Sequence, residues 1–182
     1  MPNKKSGSEG AEVLIKSRIR SIPNYPKAGI MFRDITPLLK DGVAFAKCID
    51  LLADTVSGYD FDYVAGIEAR GFIIASALAY KLGKGFVPIR KKGKLPYEKI
   101  SKDYMLEYGM ETIEVHKDSV EKGSRVLIVD DLLATGGTAS SAGDLIMSLG
   151  AKIAGFAFIV ELSALNGRGR LGGDPISVLI KY

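Results

Sequence analysis

Short apolar runs alternate along the chain with segments in which apolar residues recur at helical spacing. The apolar runs predict strands at 63–67, 86–90, 126–130, 153–162 and 176–182. The helical spacing predicts helices at 42–56, 71–83 and 138–150. Most of the predicted strands lack the polar alternation of a half-exposed sheet. The pattern therefore predicts an α/β fold, with a mostly parallel sheet flanked by helices on both faces.

Two segments fall outside this alternation. Residues 1–10 are polar and lack the apolar centre of a signal peptide, which predicts a disordered leader before a single domain over 11–182. Residues 91–110 mix charge, glycine and proline, which predicts a long, mobile excursion, and 113–116 is a candidate return strand.

Composition narrows the classes of function. No apolar run approaches the roughly 20 residues of a membrane helix, so no membrane span is expected. One cysteine, Cys48, and one histidine, His116, exclude a disulfide framework and argue against a zinc site, and they favour a cytoplasmic protein. The net charge is +4, and lysine and arginine are concentrated in IRKKGK (89–94). One short basic cluster suits a small polyanion better than nucleic acid. A solvated surface loop is the alternative for this cluster.

The end of the strand at 126–130 carries the strongest candidate chemistry. Asp130 and Asp131 stand there, and carboxylates accept hydrogen bonds from vicinal hydroxyls, directly or through metal-bound water. Small residues then lead into the next helix: Ala134, Thr135, Gly136, Gly137 and Thr138. Backbone amides at the start of a helix attract an anion, and small side chains let them surround a phosphate. The stretch therefore predicts a site for a ribose 5-phosphate.

Other phosphate-site classes fit this stretch poorly. A Walker loop needs a lysine that is absent, and no GxGxxG follows a strand. In a receiver domain the acidic pair comes early, with an acceptor aspartate and a lysine on later strands. An acidic strand end that caps a helix explains one aspartate, but not the pair followed by TGGT.

VLIVDDLLATGGT resembles the phosphoribosyl-pyrophosphate signature of type I phosphoribosyltransferases. Further stretches resemble the adenine phosphoribosyltransferase family, in the expected order: NYPKAGIMFRDITPLL (24–39), GIEARGF (66–72), IRKKGKLP (89–96), YMLEYG (104–109) and VELSALNGR (160–168). The resemblance covers about residues 12–182, with one departure at Ala28, where many members have proline. It implies a type I phosphoribosyltransferase fold, a base-binding hood over 11–40 and a flexible catalytic lid over 91–110.

The reaction implied by the resemblance is purine salvage, in which adenine and phosphoribosyl pyrophosphate give AMP and pyrophosphate. The resemblance implies that Arg70, in EARG, binds the pyrophosphate, in a loop that in this family often carries a non-proline cis peptide. Lys94, in KKGKLP, is expected to supply a second cation. The alternative for Arg70 is a surface ion pair with Glu68. Magnesium is expected through the substrate and waters near Asp130 and Asp131, without dedicated protein ligands.

The resemblance also assigns roles in the lid. It implies that Glu107 is the proton-handling carboxylate near the purine and that Tyr108 packs over the substrates. General acid–base help is typically worth ~10²–10⁴ in rate. From composition alone, an exposed charge in a polar loop is the favoured interpretation of Glu107.

The choice of base is expected to depend on main-chain groups. Adenine presents a 6-amino donor and needs an acceptor, whereas 6-oxopurines need a donor. Phe32 is expected to stack on the purine, the main chain of Met31 and Arg33 to meet its polar edge, and Leu162 to close the opposite apolar face. Phe32 as an ordinary core residue is the alternative.

Two other functions stay open. One is transfer to xanthine or to hypoxanthine and guanine, against which the scarcity of lysine after 154, where only Lys181 occurs, is an argument. The other is a non-catalytic regulator that senses phosphoribosyl pyrophosphate, against which Glu107 and the short segment before Ile22 are arguments. The family implies a homodimer, and no nucleic-acid or membrane partner is expected.

Overall fold

The computed structural model describes residues 4–106 and 109–182. Its contacts divide the chain into two compact units, Met1–Asp54 and Thr55–Tyr182. Within the described ranges, no helix combines the length and the apolarity that crossing a lipid bilayer requires.

The first unit combines helices with a small β-hairpin. Its elements are α1 (Lys4–Ser17), β1 (Arg20–Pro23), β2 (Met31–Asp34), α2 (Thr36–Lys40) and α3 (Gly42–Thr55), whose last residue lies past the unit boundary. Helix α1 begins inside the segment predicted as a leader. Strands β1 and β2 pair antiparallel, with Ile22 opposite Phe32. Asp34 ends β2, and its carboxylate accepts a hydrogen bond from the Thr36 amide at 2.8 Å, which connects the strand to α2.

The second unit is built on a seven-stranded sheet. Its elements are β3 (Tyr63–Ile67), α4 (Arg70–Leu82), β4 (Gly85–Lys91), β5 (Lys99–Leu106), β6 (Gly109–His116), β7 (Arg125–Leu133), α5 (Gly137–Ser148), β8 (Lys152–Glu161) and β9 (Ile176–Lys181). The strand order is β5-β6-β4-β3-β7-β8-β9. Strands β3, β4, β7, β8 and β9 pair in parallel, and β5 and β6 extend one edge antiparallel. The predicted fold class is confirmed.

The segment predicted to be a long, mobile excursion contains a strand. β5 occupies most of its second half, and β6 begins at Gly109, earlier than the predicted return strand. Tyr104 is buried while its neighbours Asp103 and Met105 are exposed, so the segment has the alternation of a strand with one covered face. Strand β5 was not predicted from the sequence, because the charged residues of this segment obscured the alternation.

The direction of the strands brings the predicted site residues to one edge of the sheet. β3, β4, β7 and β8 are mutually parallel, so their carboxyl ends share one edge of the sheet, which is where ligands bind in open α/β folds. The residues at this edge come from four segments: 68–70, 91–94, 130–138 and 162–170.

Candidate active site

Residues 134–138, which we call the phosphate loop, join β7 to α5. Gly136 is the N-cap of α5 and has a left-handed backbone, with φ +81° and ψ −2°, a conformation that glycine adopts without the strain of other residues. The loop and the end of β7 line a cavity of ≈ 90 Å³. Because the first amides of a helix have no acceptor within the helix, this cavity suits an anion. The structure thus brings together the five residues predicted to hold a phosphate.

The aspartate pair lies beside this cavity. Asp131 is buried, with 4 % of its surface exposed, and Asp130 is partly buried. The Asp131 amide donates to Oδ1 of Asp130 at 2.9 Å. Nη2 of Arg70 lies 2.8 Å from Oδ2 of Asp131, yet this buried oxygen has no hydrogen-bond donor aligned with it. The arrangement leaves a carboxylate oxygen with capacity for a further partner.

The ionisation of the two aspartates is linked. Burial, followed by the neighbouring charge of Asp131, raises the pKa of Asp130 well above its ordinary value. Burial also raises the pKa of Asp131, although the charge of Arg70 offsets part of the effect. Two adjacent carboxylates removed from water resist simultaneous ionisation, and a cation or hydroxyl donors at this site relieve that cost.

Arg70 reaches Asp131 because α4 starts very close to β7. A Cβ built on Gly71 would lie 2.8 Å from Oδ1 of Asp130 and 3.0 Å from the Val129 carbonyl oxygen, so only glycine permits this approach. The preceding peptide bond, Glu68–Ala69, is cis, as the resemblance implied.

Glu68 has partners on β4. Nε and Nη2 of Arg90 donate to its carboxylate at 3.2 and 3.3 Å, and the Lys91 amide donates at 3.1 Å. Burial opposes ionisation of Glu68, but these hydrogen bonds outweigh it and lower the pKa of the carboxyl, with a further contribution from the charge of Lys94. Lys94 itself is exposed at the end of β4. The basic cluster is therefore partly neutralised, and Lys94 remains on the surface.

The predicted base contacts before residue 40 lie together on β2 of the first unit. Met31 is 44 % exposed, and Nη1 of Arg33 donates to Oγ of Ser21. Phe32 is partly buried and meets the ring of Tyr25 edge-on, with 5.1 Å between centroids. Phe32 is thus not a fully buried core residue, which was the alternative interpretation of the sequence.

The fourth predicted base contact, Leu162, begins the segment 162–170, which we call the base-side loop. Its amide donates to the Leu133 carbonyl at 2.9 Å, at the end of β7. Farther along this loop, Nε and Nη2 of Arg168 donate to the two carboxylate oxygens of Glu161, both at 2.8 Å. These hydrogen bonds lower the pKa of Glu161. Sequence reasoning missed this pair, although the stretch VELSALNGR contains both residues.

Glu107 and Tyr108 lie outside the described residues, so their predicted roles stay predictions. The strand before them is described. Tyr104 donates to Oε2 of Glu111 at 3.2 Å and also hydrogen-bonds the side chain of Thr138. Burial is the main reason that the pKa of Tyr104 is raised. Strand β5 therefore lies against the start of α5, beside the phosphate loop.

A cavity at a helix start, a carboxylate pair and a nearby arginine at one sheet edge are the features expected of the phosphoribosyltransferase class. The family model described as phosphoribosyl transferase domain matches residues 36–171. The adenine phosphoribosyltransferase of Thermotoga neapolitana is 56% identical over 168 residues, covering 92% of this chain and 99% of that protein. That of Chlorobium luteolum is 60% identical over 159 residues, covering 86% and 90%.

Solved structures agree with the sequence relatives. The adenine phosphoribosyltransferase of Thermoanaerobacter pseudethanolicus is 52% identical, with a TM-score of 0.92 over 94% of this chain and 99% of that one. The Saccharomyces cerevisiae enzyme, solved with adenine and an imino-altritol bisphosphate, is 39% identical, with a TM-score of 0.88 over 94% and 99%. The chain belongs to the adenine phosphoribosyltransferase family.

Proposed function

We propose that this chain transfers the 5-phosphoribosyl group from phosphoribosyl pyrophosphate to adenine, giving AMP and pyrophosphate. The observation that carries the proposal is the meeting of the phosphate loop, the aspartate pair and Arg70 at one edge of the sheet, in a chain 52% identical to a structurally characterised member of the family. Adenine as the base is supported by the related yeast enzyme, which was solved with adenine.

The phosphate loop and the aspartates hold the sugar phosphate. The 5-phosphate accepts hydrogen bonds from the amides at the start of α5 and from the hydroxyls of Thr135 and Thr138. Asp130 and Asp131 accept hydrogen bonds from the two ribose hydroxyls. With both ends of the sugar held, C1 is fixed relative to the leaving group and the incoming base.

Arg70 and Lys94 act on the pyrophosphate. As the bond from C1 to the pyrophosphate oxygen breaks, negative charge grows on the leaving group and positive charge on the sugar. The guanidinium of Arg70 presents forked donors to phosphate oxygens, and Lys94 adds a positive charge on the surface at the same edge.

Magnesium fits this site as a group held mainly by the substrate. The described residues contain no cluster of three or more histidine, cysteine or acidic side chains able to bind a metal. Asp131 does have a buried carboxylate oxygen with no aligned donor, so it and Asp130 would face the metal through its waters. When bound, magnesium neutralises part of the pyrophosphate charge.

Adenine is bound by Met31, Phe32, Arg33 and Leu162. Phe32 supplies a ring face for stacking, and main-chain groups of Met31 and Arg33 read the polar edge of the purine. Glu107 handles the proton released when adenine N9 bonds to C1. Tyr108 packs over the bound substrates. It belongs to the lid that we propose for residues 91–110, and residues 11–40 form the base-binding hood.

The test is turnover with phosphoribosyl pyrophosphate and each of adenine, hypoxanthine, guanine and xanthine. The proposal expects AMP from adenine and little product from the 6-oxopurines. Glu107→Gln should lower kcat by ~10²–10⁴, while Asp60→Asn, at an exposed carboxylate paired with Arg125, should retain it. Comparable rates for all four bases would contradict adenine specificity, and an unchanged rate for Glu107→Gln would remove Glu107 from the mechanism.

We further propose a cytoplasmic homodimer. Its single cysteine, Cys48, is free and buried, as suits a reducing compartment. Helix α4 carries exposed apolar side chains one heptad apart, with Ile73 44 % and Tyr80 90 % exposed, which suits a surface that a second copy covers. A monomer mass in sedimentation equilibrium at micromolar concentration would contradict the dimer.

A further inference from the structure

The backbones of the phosphate loop and the base-side loop approach each other closely at Gly136 and Gly167. A Cβ built on Gly136 would lie 2.4 Å from the Gly167 carbonyl oxygen. A Cβ on Gly167 would lie 2.2 Å from the Ala134 carbonyl oxygen and 3.1 Å from the Gly136 nitrogen. The distances of 2.4 and 2.2 Å to carbonyl oxygens are well below ordinary van der Waals contact, so each position accepts only glycine. The outer side of the phosphate loop is therefore shaped by Gly167.

Regular secondary structure does little to fix Gly167. The base-side loop consists of two short 3₁₀ turns, Ser163–Leu165 and Gly167–Arg170, joined at Asn166 with φ +49°. A non-glycine residue with positive φ is held there by its surroundings. Contacts between this loop and the sheet must supply that restraint.

The ion pair of Arg168 and Glu161 is one such contact. Glu161 ends β8, and 7% of its side chain is exposed. Both of its oxygens accept hydrogen bonds from Arg168, the residue directly after Gly167. A two-point contact between a planar guanidinium and a buried carboxylate fixes orientation as well as distance. It therefore holds the Gly167 backbone in place relative to β8.

We propose that Arg168 and Gly167 are positioning residues for the 5-phosphate. The Arg168–Glu161 pair holds the Gly167 backbone against the phosphate loop, and this contact keeps the amides of the phosphate loop directed at the ligand. The Arg168 side chain need not touch the substrate, and Gly167 has no side chain. This inference rests on the proposed function, because it assumes that the phosphate loop binds the 5-phosphate. It predicts a selective effect: binding of a sugar phosphate depends on Arg168 and Gly167, whereas binding of pyrophosphate through Arg70 does not.

Two alanine variants in the same loop isolate the backbone contact. Gly167→Ala forces a Cβ to within 2.2 Å of the Ala134 oxygen, whereas the nearest atoms to a Cβ at Gly169 belong to the flexible Asn166 side chain, at 3.5 Å or more. Isothermal titration of the full-length protein with ribose 5-phosphate should show at least a tenfold higher Kd for Gly167→Ala, about 1.4 kcal/mol. Gly169→Ala should stay within about twofold of the parent, which is under 0.5 kcal/mol.

Arginine variants test the ion pair without adding bulk. Arg168→Gln should raise the Kd for ribose 5-phosphate about tenfold, and Arg168→Lys, which keeps the charge but loses the fork, should fall in between. Pyrophosphate binding should change by less than about twofold in both variants. The control is Arg125→Gln, which removes an exposed pair with Asp60 at the opposite end of β7. Arg125→Gln should leave the Kd values for ribose 5-phosphate and pyrophosphate unchanged.

The outcomes separate this inference from the function beneath it. Unchanged ribose 5-phosphate binding in Gly167→Ala and Arg168→Gln, with a parent that binds, would overturn the positioning role alone. Equal weakening of ribose 5-phosphate and pyrophosphate would reduce the role to general stability and overturn it too. A parent that does not bind ribose 5-phosphate would overturn the phosphate site itself. If Gly167→Ala or Arg168→Gln fails to fold, Arg168→Lys decides through its ratio of the two affinities.

Discussion

Replacing Gly136 by alanine should destabilise the protein through two separable terms. Its backbone has φ +81°, where a side chain costs roughly 1–2 kcal/mol. Its new Cβ would also lie 2.4 Å from the Gly167 oxygen, and relieving such a clash in a packed region costs typically about 1–3 kcal/mol. Gly136→Ala should therefore lose about 2–5 kcal/mol of unfolding free energy.

Gly123→Ala separates the two terms. Gly123 has nearly the same backbone, with φ +83°, but nothing lies within 4 Å of its Cβ position. It should lose only the roughly 1–2 kcal/mol of conformational strain. Both variants are compared with the parent by urea unfolding at one fixed protein concentration, because association would shift the midpoint. Equal destabilisation of the two variants would refute the close approach of Gly136 to Gly167.

Three further outcomes follow from the site and its surroundings. Asp131→Asn removes the carboxylate that contacts the guanidinium of Arg70 and that is proposed to bind a ribose hydroxyl. The KM for phosphoribosyl pyrophosphate should therefore rise about tenfold to hundredfold. An unchanged KM would contradict the proposed ribose contact of Asp131. Burial raises the pKa of the Cys48 thiol to about 12, so a disulfide reagent at pH 8 should modify it only after urea unfolding, and rapid modification of the native protein contradicts this. The hydrogen bonds from Arg168 lower the pKa of Glu161 in the folded protein. The ion pair therefore stabilises the fold fully at pH values above the unfolded-state pKa of about 4.3. This stabilisation is lost as the pH falls through the lower folded-state pKa. The stability advantage of the parent over Arg168→Gln should accordingly shrink between pH 6 and about pH 3 in urea titrations, and an advantage that persists in acid contradicts it.

Local pattern was sufficient to predict the central sheet. The strand predicted at 63–67 has the same bounds in the structure, because its apolar run is short and followed by charge. β7 extends to Leu133, three residues past its predicted end, because β8 continues to pair with it as far as Glu161. The aspartates lie within the strand, and an acidic pair is a poor marker of a strand end when a neighbouring strand supplies hydrogen bonds.

The candidate site was predictable where its chemistry is contiguous in sequence. Residues 130–138 bring acceptors, small side chains and a helix start together within one stretch, so their proximity could be predicted from that stretch alone. The pairing of Arg70 with Asp131 and the contact of Gly136 with Gly167 join positions far apart in the chain. A sequence shows that a residue is glycine or arginine, but only the fold shows which backbone or carboxylate it meets.

Phosphorus NMR of one reaction mixture distinguishes phosphoribosyl transfer to adenine from other reactions of phosphoribosyl pyrophosphate. With the protein, magnesium, phosphoribosyl pyrophosphate and adenine present, AMP and pyrophosphate resonances should grow in equal amounts. Omission of adenine should abolish both. Phosphoribosyl transfer to adenine would be contradicted if ribose 5-phosphate formed in place of AMP, or if phosphoribosyl pyrophosphate were consumed independently of adenine.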